Sequence, residues 1–293
     1  YSSGLQIIDV SDSSNPTLLG TLDTSGLAWG VALSADGNTA YVASATHHDD
    51  VGGLQVINVT DPSAPTLTAT LVTSGRARDV VLSADGNTAY VADDEGGLKI
   101  INVSDSNAPI LQATLDTSGK AMAVRLSADG NTAYVADKHG GLQIIDVSDS
   151  SNPTLIETLD TSGSAYGVTL SPDGNTAYVA DSEAGLQIID VSDSSNPALI
   201  QTLDTSGFAS GVTLSADGNT AYVADGTSGL QIINVSNPSN PTLIQTFDTS
   251  GSAQSITLSP DGNTAYVAGL DSGLQIINVS NPSAPTLIET FDT

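Results

Sequence analysis

Basic side chains are few in this chain, and most of them fall close together. The sequence of 293 residues has 6 Lys and Arg against 33 Asp and Glu, which gives a formal net charge of −27. Arg76 and Arg78 are separated by a single residue, and Lys120, Arg125 and Lys138 follow further along the chain. Grouped guanidinium and ammonium groups can bind a carboxylate or another anion, and the planar Arg side chain does so with paired hydrogen bonds. The first chemistry that these residues suggest is therefore the binding of an anionic ligand.

Two other groups of residues could bind a metal ion. His47, His48, Asp49 and Asp50 are consecutive, but neighbouring side chains in a strand or loop point apart, and the spacing matches no defined metal site. These four residues are weak candidates. The phrase "DVSDSSNP" is rich in the oxygen ligands that Ca²⁺ prefers, yet it lacks the ligand spacing and the Gly of a calcium loop. Asx turns explain it, so the sequence predicts no cofactor, with calcium as an alternative.

The composition excludes several classes of function. A chain this acidic repels nucleic acid and anionic membrane surfaces. No apolar run approaches the ~18 residues of a membrane-spanning helix, so membrane insertion is not expected. The chain has no Cys and one Met, which suits an oxidising exterior. It begins at Tyr1 and not at Met, which leads us to expect a mature or excised part of a longer polypeptide.

A tandem repeat predicts the fold. The phrase "SADGNTAYVA" or "SPDGNTAYVA" occurs six times, and the phrase typified by "GLQIIDVSDSSNPTLIETLDTSG" occurs seven times. The repeat is 44 residues long, with five extra residues in one copy. The 163–206 copy contains four predicted strands, at 165–171, 176–180, 185–191 and 198–205. We expect "PDGN" to form a tight two-residue hairpin turn, because Asp-Gly and Gly-Asn tolerate positive φ angles.

Four short strands per repeat indicate an all-β fold, the β-propeller of four-stranded blades. An amphipathic helical period is absent throughout. Six copies of the repeat have both strand pairs, and the first copy along the chain has only the second pair. We therefore predict a seven-bladed frame with one incomplete blade. The alternative is six full blades with an extra strand pair. The predicted single domain covers residues 1–293, with a half blade at 1–25. Full blades are predicted at 26–74, 75–118, 119–162, 163–206, 207–250 and 251–293.

The repeats resemble a known family. "GLQIIDVSDSSNP" at 141–153 and "AYVAD" at 177–181 resemble the LVIVD-repeat family of microbial β-propellers. "SPDGNTAYVA" at 171–180 is similar also to the YVTN-type propellers of microbial surface proteins. The resemblance covers the whole chain and implies a propeller fold in a bacterial, extracellular or cell-surface setting. It implies no activity, because the family is defined by the residues that build the blade.

Differences between the copies fall in two links of each repeat. One link leads from the fourth strand to the next first strand, as in "GRARD" at 75–79. The other joins the second and third strands, as in "DKHGG" at 137–141. In an antiparallel blade both links lie at the same end of the strands, and loops on a rigid scaffold commonly bind ligands. The candidate ligand-binding residues on these links are Arg76, Arg78, Lys120, Lys138, His139, Trp29, Tyr166 and Phe208.

These observations predict a non-catalytic binding or adhesion module rather than an enzyme. Paired carboxylates, a Ser-His-Asp set and a Gly-rich phosphate loop are all missing from the sequence. Asp79 is the one carboxylate predicted on an innermost strand near the links. The expected partner is a protein or glycan with anionic groups. A structural spacer without a ligand is the alternative, followed by a metal-dependent hydrolase or lactonase. Drift between duplicated blades would also explain the basic residues.

Overall fold

A computed structural model describes residues 4–24, 26–45 and 52–293, and the regular structure in these ranges is entirely β-strand. Twenty-six strands form six four-stranded sheets and one two-stranded sheet. Within the described ranges, no helix meets the length and hydrophobicity needed to span a membrane. The predicted fold class, an all-β propeller of four-stranded blades, is confirmed. The six blades and the extra strand pair agree with both predictions, a seven-bladed frame with one incomplete blade and six full blades with an extra strand pair.

The first two strands, β1 (Leu5–Asp9) and β2 (Thr17–Leu22), form the two-stranded sheet. Blade 1 consists of β3 (Leu27–Leu33), β4 (Thr39–Ala45), β5 (Gly52–Asn58) and β6 (Thr66–Val72). Blade 2 consists of β7 (Asp79–Leu82), β8 (Thr88–Ala92), β9 (Leu98–Asn102) and β10 (Ile110–Leu115). Blade 3 consists of β11 (Ala123–Leu126), β12 (Thr132–Ala136), β13 (Leu142–Asp146) and β14 (Thr154–Leu159).

The remaining strands form three more blades. Blade 4 consists of β15 (Gly167–Leu170), β16 (Thr176–Ala180), β17 (Leu186–Asp190) and β18 (Ala198–Leu203). Blade 5 consists of β19 (Gly211–Leu214), β20 (Thr220–Ala224), β21 (Leu230–Asn234) and β22 (Thr242–Phe247). Blade 6 consists of β23 (Ala253–Leu258), β24 (Thr264–Gly269), β25 (Gly273–Asn278) and β26 (Thr286–Phe291).

The chain divides into two compact units. Unit 1 contains residues 1–9 and 17–158, which include the two-stranded sheet and blades 1 to 3 without Leu159, the last residue of β14. Unit 2 contains residues 10–16 and 159–293, which include blades 4 to 6. Each unit is described separately below.

Strand order within a blade follows the chain, and neighbouring strands are antiparallel. Blade 4, for example, runs β15-β16-β17-β18, in agreement with the four strands predicted for this repeat. Apolar β-formers such as those of "TAYVA" pack on both faces of the blade, so β16 is buried from Ala177 to Ala180. The third and fourth strands share a register shift between Ile188 and Ile189. A bulge of this kind increases the local twist of the sheet.

The turn between the first and second strands is longer than predicted. Ser34 donates its backbone N–H to the carbonyl of Thr39, at 2.9 Å, so four residues and not two form the turn. The Asp36 carboxylate accepts bonds from the Ser34 hydroxyl at 2.6 Å and the Asn38 backbone N–H at 3.1 Å. Gly37 has a φ of 71°, which glycine adopts at little cost. The side-chain bonds of Asp36 stabilise this wider turn, which explains why the two-residue prediction was wrong.

Asx turns connect the third and fourth strands. Asp146 Oδ1 accepts bonds from the backbone N–H and the hydroxyl of Ser148, at 2.9 and 2.6 Å. Asp149 Oδ1 accepts the same two bonds from Ser151, at 3.0 and 2.6 Å. This local bonding is the Asx-turn structure that was predicted for "DVSDSSNP".

Each hydrophobic core lies between two consecutive blades. In unit 1, Tyr41 and Leu54 of blade 1 are buried against Val80 and Val91 of blade 2. The same positions pack between blades 4 and 5 in unit 2, where Tyr178 meets Val212. The repeated Tyr is a framework residue between blades at these positions. The blades are therefore rigid supports for the links at their ends.

Candidate functional site

Four buried aspartates hold the links of the blades in place. Each follows the second strand and has no exposed surface; they are Asp93, Asp137, Asp181 and Asp225. In blade 3, Asp137 Oδ1 accepts a bond from the Thr117 hydroxyl at 2.6 Å, and Oδ2 accepts one from the Gly119 backbone N–H at 2.7 Å. A side chain at Gly119 would overlap the carbonyl oxygen of Asp137. One carboxylate therefore ties the two variable links together.

Burial changes the acid–base behaviour of these aspartates. Loss of hydration disfavours the charged form, and burial accordingly raises the pKa of all four carboxyls, against the opposing effect of their hydrogen bonds. The pKa of Asp225 rises to about 6. Sequence analysis did not identify these residues, although the repeated Asp directly after a buried strand was a visible signal. Blades 1 and 6 have Ser44 and Gly269 at this position.

Lys99 belongs to this buried network and not to the exposed links. It occupies the position that is Gln143 in blade 3. Its ammonium donates to the Ser74 hydroxyl at 2.8 Å and lies 3.7 Å from Asp93 Oδ2, with 5% of the side chain exposed. The positive charge of Lys99 lowers the pKa of Asp93, although burial still dominates. This Lys compensates a buried carboxylate and is inaccessible to a ligand.

Arg78 and Trp29 form the centre of the basic cluster in unit 1. Nε and Nη2 of Arg78 donate to Asp94 Oδ2 at 3.1 and 2.8 Å. The guanidinium carbon lies 4.5 Å from the centroid of the Trp29 ring, a cation–π contact that contributes about 0.5–2 kcal/mol. Trp29 is 48% exposed. Trp29 was predicted on a link but lies within β3. Strand β3 of blade 1 thus supplies the aromatic ring that Arg78 of blade 2 contacts.

Asp94 is the anion around which this cluster forms. It has a φ of 50°, an uncommon value for a residue other than Gly, and its N–H and C=O exchange bonds with Ala121 at 3.0 Å each. Its Oδ1 atom is buried and accepts no hydrogen bond, and the Lys120 ammonium lies 3.5 Å away. The bridge to blade 3 therefore places Asp94 between Arg78 and Lys120.

Lys120 is the more accessible cation. Its ammonium lies 2.7 Å from Glu95 Oε1, and 38% of the Lys120 side chain and 72% of the Glu95 side chain are exposed. The hydrogen bond from Lys120 to Glu95, followed by the charge of Asp94, raises the pKa of Lys120. Exposed pairs of this kind are worth about 0–1 kcal/mol. An external carboxylate could therefore replace Glu95 at small cost.

The other predicted residues are placed as follows. Arg76 and Lys138 are half-buried on their links, and His139 is exposed. Tyr166 and Phe208 lie in unit 2, where their rings make an edge-to-face contact with centroids 5.0 Å apart. The structure therefore brings Trp29, Arg78 and Lys120 into one connected cluster, and it pairs the two aromatic residues separately.

The basic residues do not form an uncompensated positive patch. Arg78 and Lys120 contact Asp94 and Glu95, as described above. Arg125 lies on β11, and its Nη1 is 2.7 Å from Asp79 Oδ2 on β7. Sequence analysis could not predict these pairings, because they depend on which residues the blade interfaces bring together.

The Asp79–Arg125 pair borders a cavity of about 420 Å³ in unit 1. Val31, Leu33 and Leu82 of the innermost strands supply its apolar lining. Arg125 also donates to the carbonyl of Val124 at 2.6 Å. An ion pair beside apolar walls can bind a small polar molecule.

The weak metal candidates His47, His48, Asp49 and Asp50 lie outside the described residues. Among residues 4–24, 26–45 and 52–293, no three His, Cys, Asp or Glu side chains are grouped closely enough to hold a metal ion.

The repeated blades and the cores between them define a β-propeller. Its structure is similar to that of a Lactobacillus plantarum protein, with a TM-score of 0.85 and 19% identity, over 100% of this chain and 95% of that one. It is also similar to a "putative 6-phosphogluconolactonase" of Bacteroides fragilis, with a TM-score of 0.85 and 16% identity, over 100% and 92% of the two chains. At these identities the likeness establishes the fold alone.

The sequence itself identifies the family. The model of the LVIVD repeat matches seven consecutive segments, at residues 2–24, 25–73, 74–117, 118–161, 162–205, 206–249 and 250–293. The chain therefore belongs to the LVIVD-repeat family, as its repeated phrases predicted. No curated protein sequence is significantly similar to it.

Proposed function

We propose that this propeller is a non-catalytic binding module that holds an anionic protein or glycan ligand on its variable links. The observation that carries the proposal is the cluster of Trp29, Arg78 and Lys120, built from link positions that differ between near-identical repeats. The blade framework does not require these side chains, since other blades have Ser210 or Gln254 at the position of Arg78. A ligand contact accounts for them.

The geometry suggests how such a ligand would bind. Asp94 and the Trp29 ring hold Arg78 in one orientation, so little side-chain entropy remains to be lost on binding. A ligand carboxylate would take the place of Glu95 at Lys120, while an apolar or sugar ring would contact Trp29. Arg76, Lys138 and His139 would add longer-range attraction. In unit 2, Tyr166 and Phe208 supply aromatic contact area of the type common in binding patches.

We propose that this module lies outside the cell or on its surface. The lack of Cys and the strong negative charge support an extracellular role and oppose nucleic acid as a partner. A chain of this charge also stays soluble at high concentration. Calcium is an additional cofactor to test, because the Asx turns are rich in oxygen ligands.

The test is a binding screen with acidic glycans and acidic peptides at low and physiological salt. The Arg76→Ala/Arg78→Ala variant should lose most of the binding, and binding to the parent chain should weaken with salt because screening reduces charge attraction. Arg125→Gln is the matched control, since it removes a cation of unit 1 outside the links. Equal binding by both variants would contradict the site, and no binding by the parent chain would favour a spacer without a ligand.

A sugar lactonase is the second candidate function. The observation that favours it is the cavity beside Asp79 and Arg125, in a fold that is shared with the Bacteroides fragilis protein. Asp79 would act as a base on water, and Arg125 would orient an anionic sugar. Hydrolysis of 6-phosphogluconolactone by the purified chain, lost in Asp79→Asn, would support this function. A rate equal to the uncatalysed rate would remove it.

A further inference from the structure

One face of blade 1 is exposed where the same face of every other blade is buried. Val31 on β3 is 56% exposed, and Ala28 is exposed beside it. The residues at the position of Val31 are between 0 and 8% exposed; they are Val80, Val124, Val168, Val212 and Ile256. The residues at the position of Ala28 are 0% exposed; they are Ala77, Ala121, Ala165, Ala209 and Ala253. A local cause must therefore distinguish blade 1.

The cause is the sheet that precedes blade 1. Ala77 and Val80 of blade 2 are buried by Tyr41 and Ala43, which belong to the second strand of blade 1. The two-stranded sheet has only the equivalents of a third and a fourth strand, so it has no such Tyr and Ala to place against Val31. Its Leu5 does pack on blade 1, next to Ala40 and Val42. Among the described residues, the sheet thus packs on blade 1 through a third and a fourth strand alone.

The backbone edge of β1 is open as well. Among the described residues, β1 pairs with β2 alone. The equivalent strand of blade 3, β13, pairs with β14 on one side and with β12 on the other. Its register with β12 is Ala136 opposite Leu142 and Tyr134 opposite Ile144. The same register holds in blades 4, 5 and 6. An unpaired strand edge is a template for a further strand.

We propose that this acceptor face, defined as the open edge of β1 with Ala28, Val31 and Leu33, binds a β-hairpin that carries the inner-strand pattern of the repeat. The second strand of the hairpin, T-A-Y-V-A, would pair with β1 in the register of the other blades. Its Tyr would be opposite Ile7 and would cover Val31. The second residue after this strand would bridge to Ala28, as Asp94, the second residue after β8, bridges to Ala121 in unit 1.

The pattern of the exposed residues specifies this occupant. A one-residue slip would turn the Tyr and the small Ala residues away from blade 1, so a strand without the alternation A-Y-V-A would not fit. A second copy of the chain is a poorer occupant, because its first and second strands are already paired within each described blade.

The direct test uses a labelled peptide with the sequence of residues 163–182, added to the intact chain. We expect saturable binding by fluorescence anisotropy, and slower exchange of the β1 backbone amides. The emission of Trp29, the single Trp of the chain, should shift, and the peptide itself has no Trp. A peptide with Tyr178→Ser should bind about tenfold more weakly or worse, because it lacks the aromatic anchor.

Two protein variants locate the site. Val31→Asp should abolish peptide binding without unfolding the chain, because Val31 is already 56% exposed. Leu155→Asp is the matched control at 51% exposure on an outer strand, and it should bind the peptide normally. Equal binding by both variants, or equal binding of both peptides, would overturn the proposal. A chain that self-associates through this face, and becomes monomeric in Val31→Asp, would show that a second copy is the occupant instead.

A second test fuses the hairpin to the chain, because a free peptide that is poorly folded would not bind. Residues 163–181 joined ahead of Tyr1 would leave four residues before Leu5, the same number that separates Asp181 from Leu186. The fusion raises the effective concentration of the hairpin. We expect a higher melting temperature than that of the parent chain, and loss of the gain in Val31→Asp. No gain in melting temperature and no protection of β1 would refute the hairpin. Neither result depends on the basic cluster.

Discussion

In blades 2 to 5 an aspartate occurs at both ends of the second strand, and the pKa values of the two aspartates move in opposite directions. In blade 4, Asp173 lies in the exposed turn, where bonds from the Ser171 hydroxyl and the Asn175 backbone N–H lower its pKa. Asp181 lies at the other end of β16, where burial raises its pKa although it also accepts hydrogen bonds. Both carboxylates are well bonded. The comparison shows that hydration, more than hydrogen bonding, decides the sign of the shift here.

The two ends therefore differ in function as well as in chemistry. The turns repeat with little change, and their aspartates bond only to residues within the turn. Each link aspartate accepts hydrogen bonds from the link that leads into its own blade. The side chains that differ between repeats belong to these links. In blades 2 to 5, a buried anchor of the same type allows the surrounding positions to change without loss of the fold.

The largest expected effect is the loss of a buried anchor. Asp181→Ala should lower the free energy of unfolding by about 2–3 kcal/mol, because the Thr161 hydroxyl and the Gly163 N–H lose their buried acceptor. Asp181→Asn should cost less, since it keeps one acceptor oxygen. Denaturant titration measures both values. A cost for Asp181→Ala no greater than that of an exposed turn variant would contradict the difference between the two ends.

An intermediate effect concerns pH. The folded pKa of Asp225 is about 6, above its unfolded value, so the folded state holds the proton more tightly. Asp225 therefore favours folding at low pH, and this stability is lost as the pH rises from about 4 to about 6, on the order of 2 kcal/mol.

The turn aspartates act in the opposite sense, because their folded pKa is lowered; that of Asp261 falls to about 2. Their stabilisation is present above their unfolded pKa and is lost as the pH falls toward 2. The chain should then be most stable near about pH 4 to 5. Melting temperatures across pH 2 to 8 test this, and Asp225→Asn should flatten the decline above pH 4. A stability that rises steadily to neutral pH in both proteins would show that burial does not control these groups.

The smallest effect is expected in a turn. Asp173→Ala removes the acceptor for the Ser171 hydroxyl and the Asn175 N–H, but water can replace it, so we expect a loss below about 1 kcal/mol. The same denaturant titration gives the value, and Asp173→Asn is the control that keeps an acceptor. A loss as large as that of Asp181→Ala would mean that the turns, and not the links, hold the blade together.

The sequence predicted the blade better than the site. β16 begins and ends where it was predicted, because "TAYVA" is apolar on both faces and is bounded by turn residues. The positions of Arg78 and Lys120 on links were also predicted, whereas Trp29, which was predicted on a link, lies within β3. The ion pairs were not, since Arg78 meets Asp94 only after β7 and β8 pair. The buried Asp181 was missed because an Asp that follows a strand normally marks an exposed turn.

The cores between blades have a consequence for how such a chain arises. Within each unit, the Tyr and Leu face of one blade meets the same Ala and Val face of the following blade, and the repeat is 44 residues long throughout most of the chain. A genomic duplication of one repeat would therefore encode a segment whose two sides already fit its neighbours. Gain or loss of a copy by recombination between near-identical stretches of DNA requires no new contact to evolve. Natural variants that differ by whole multiples of this length are expected on these grounds.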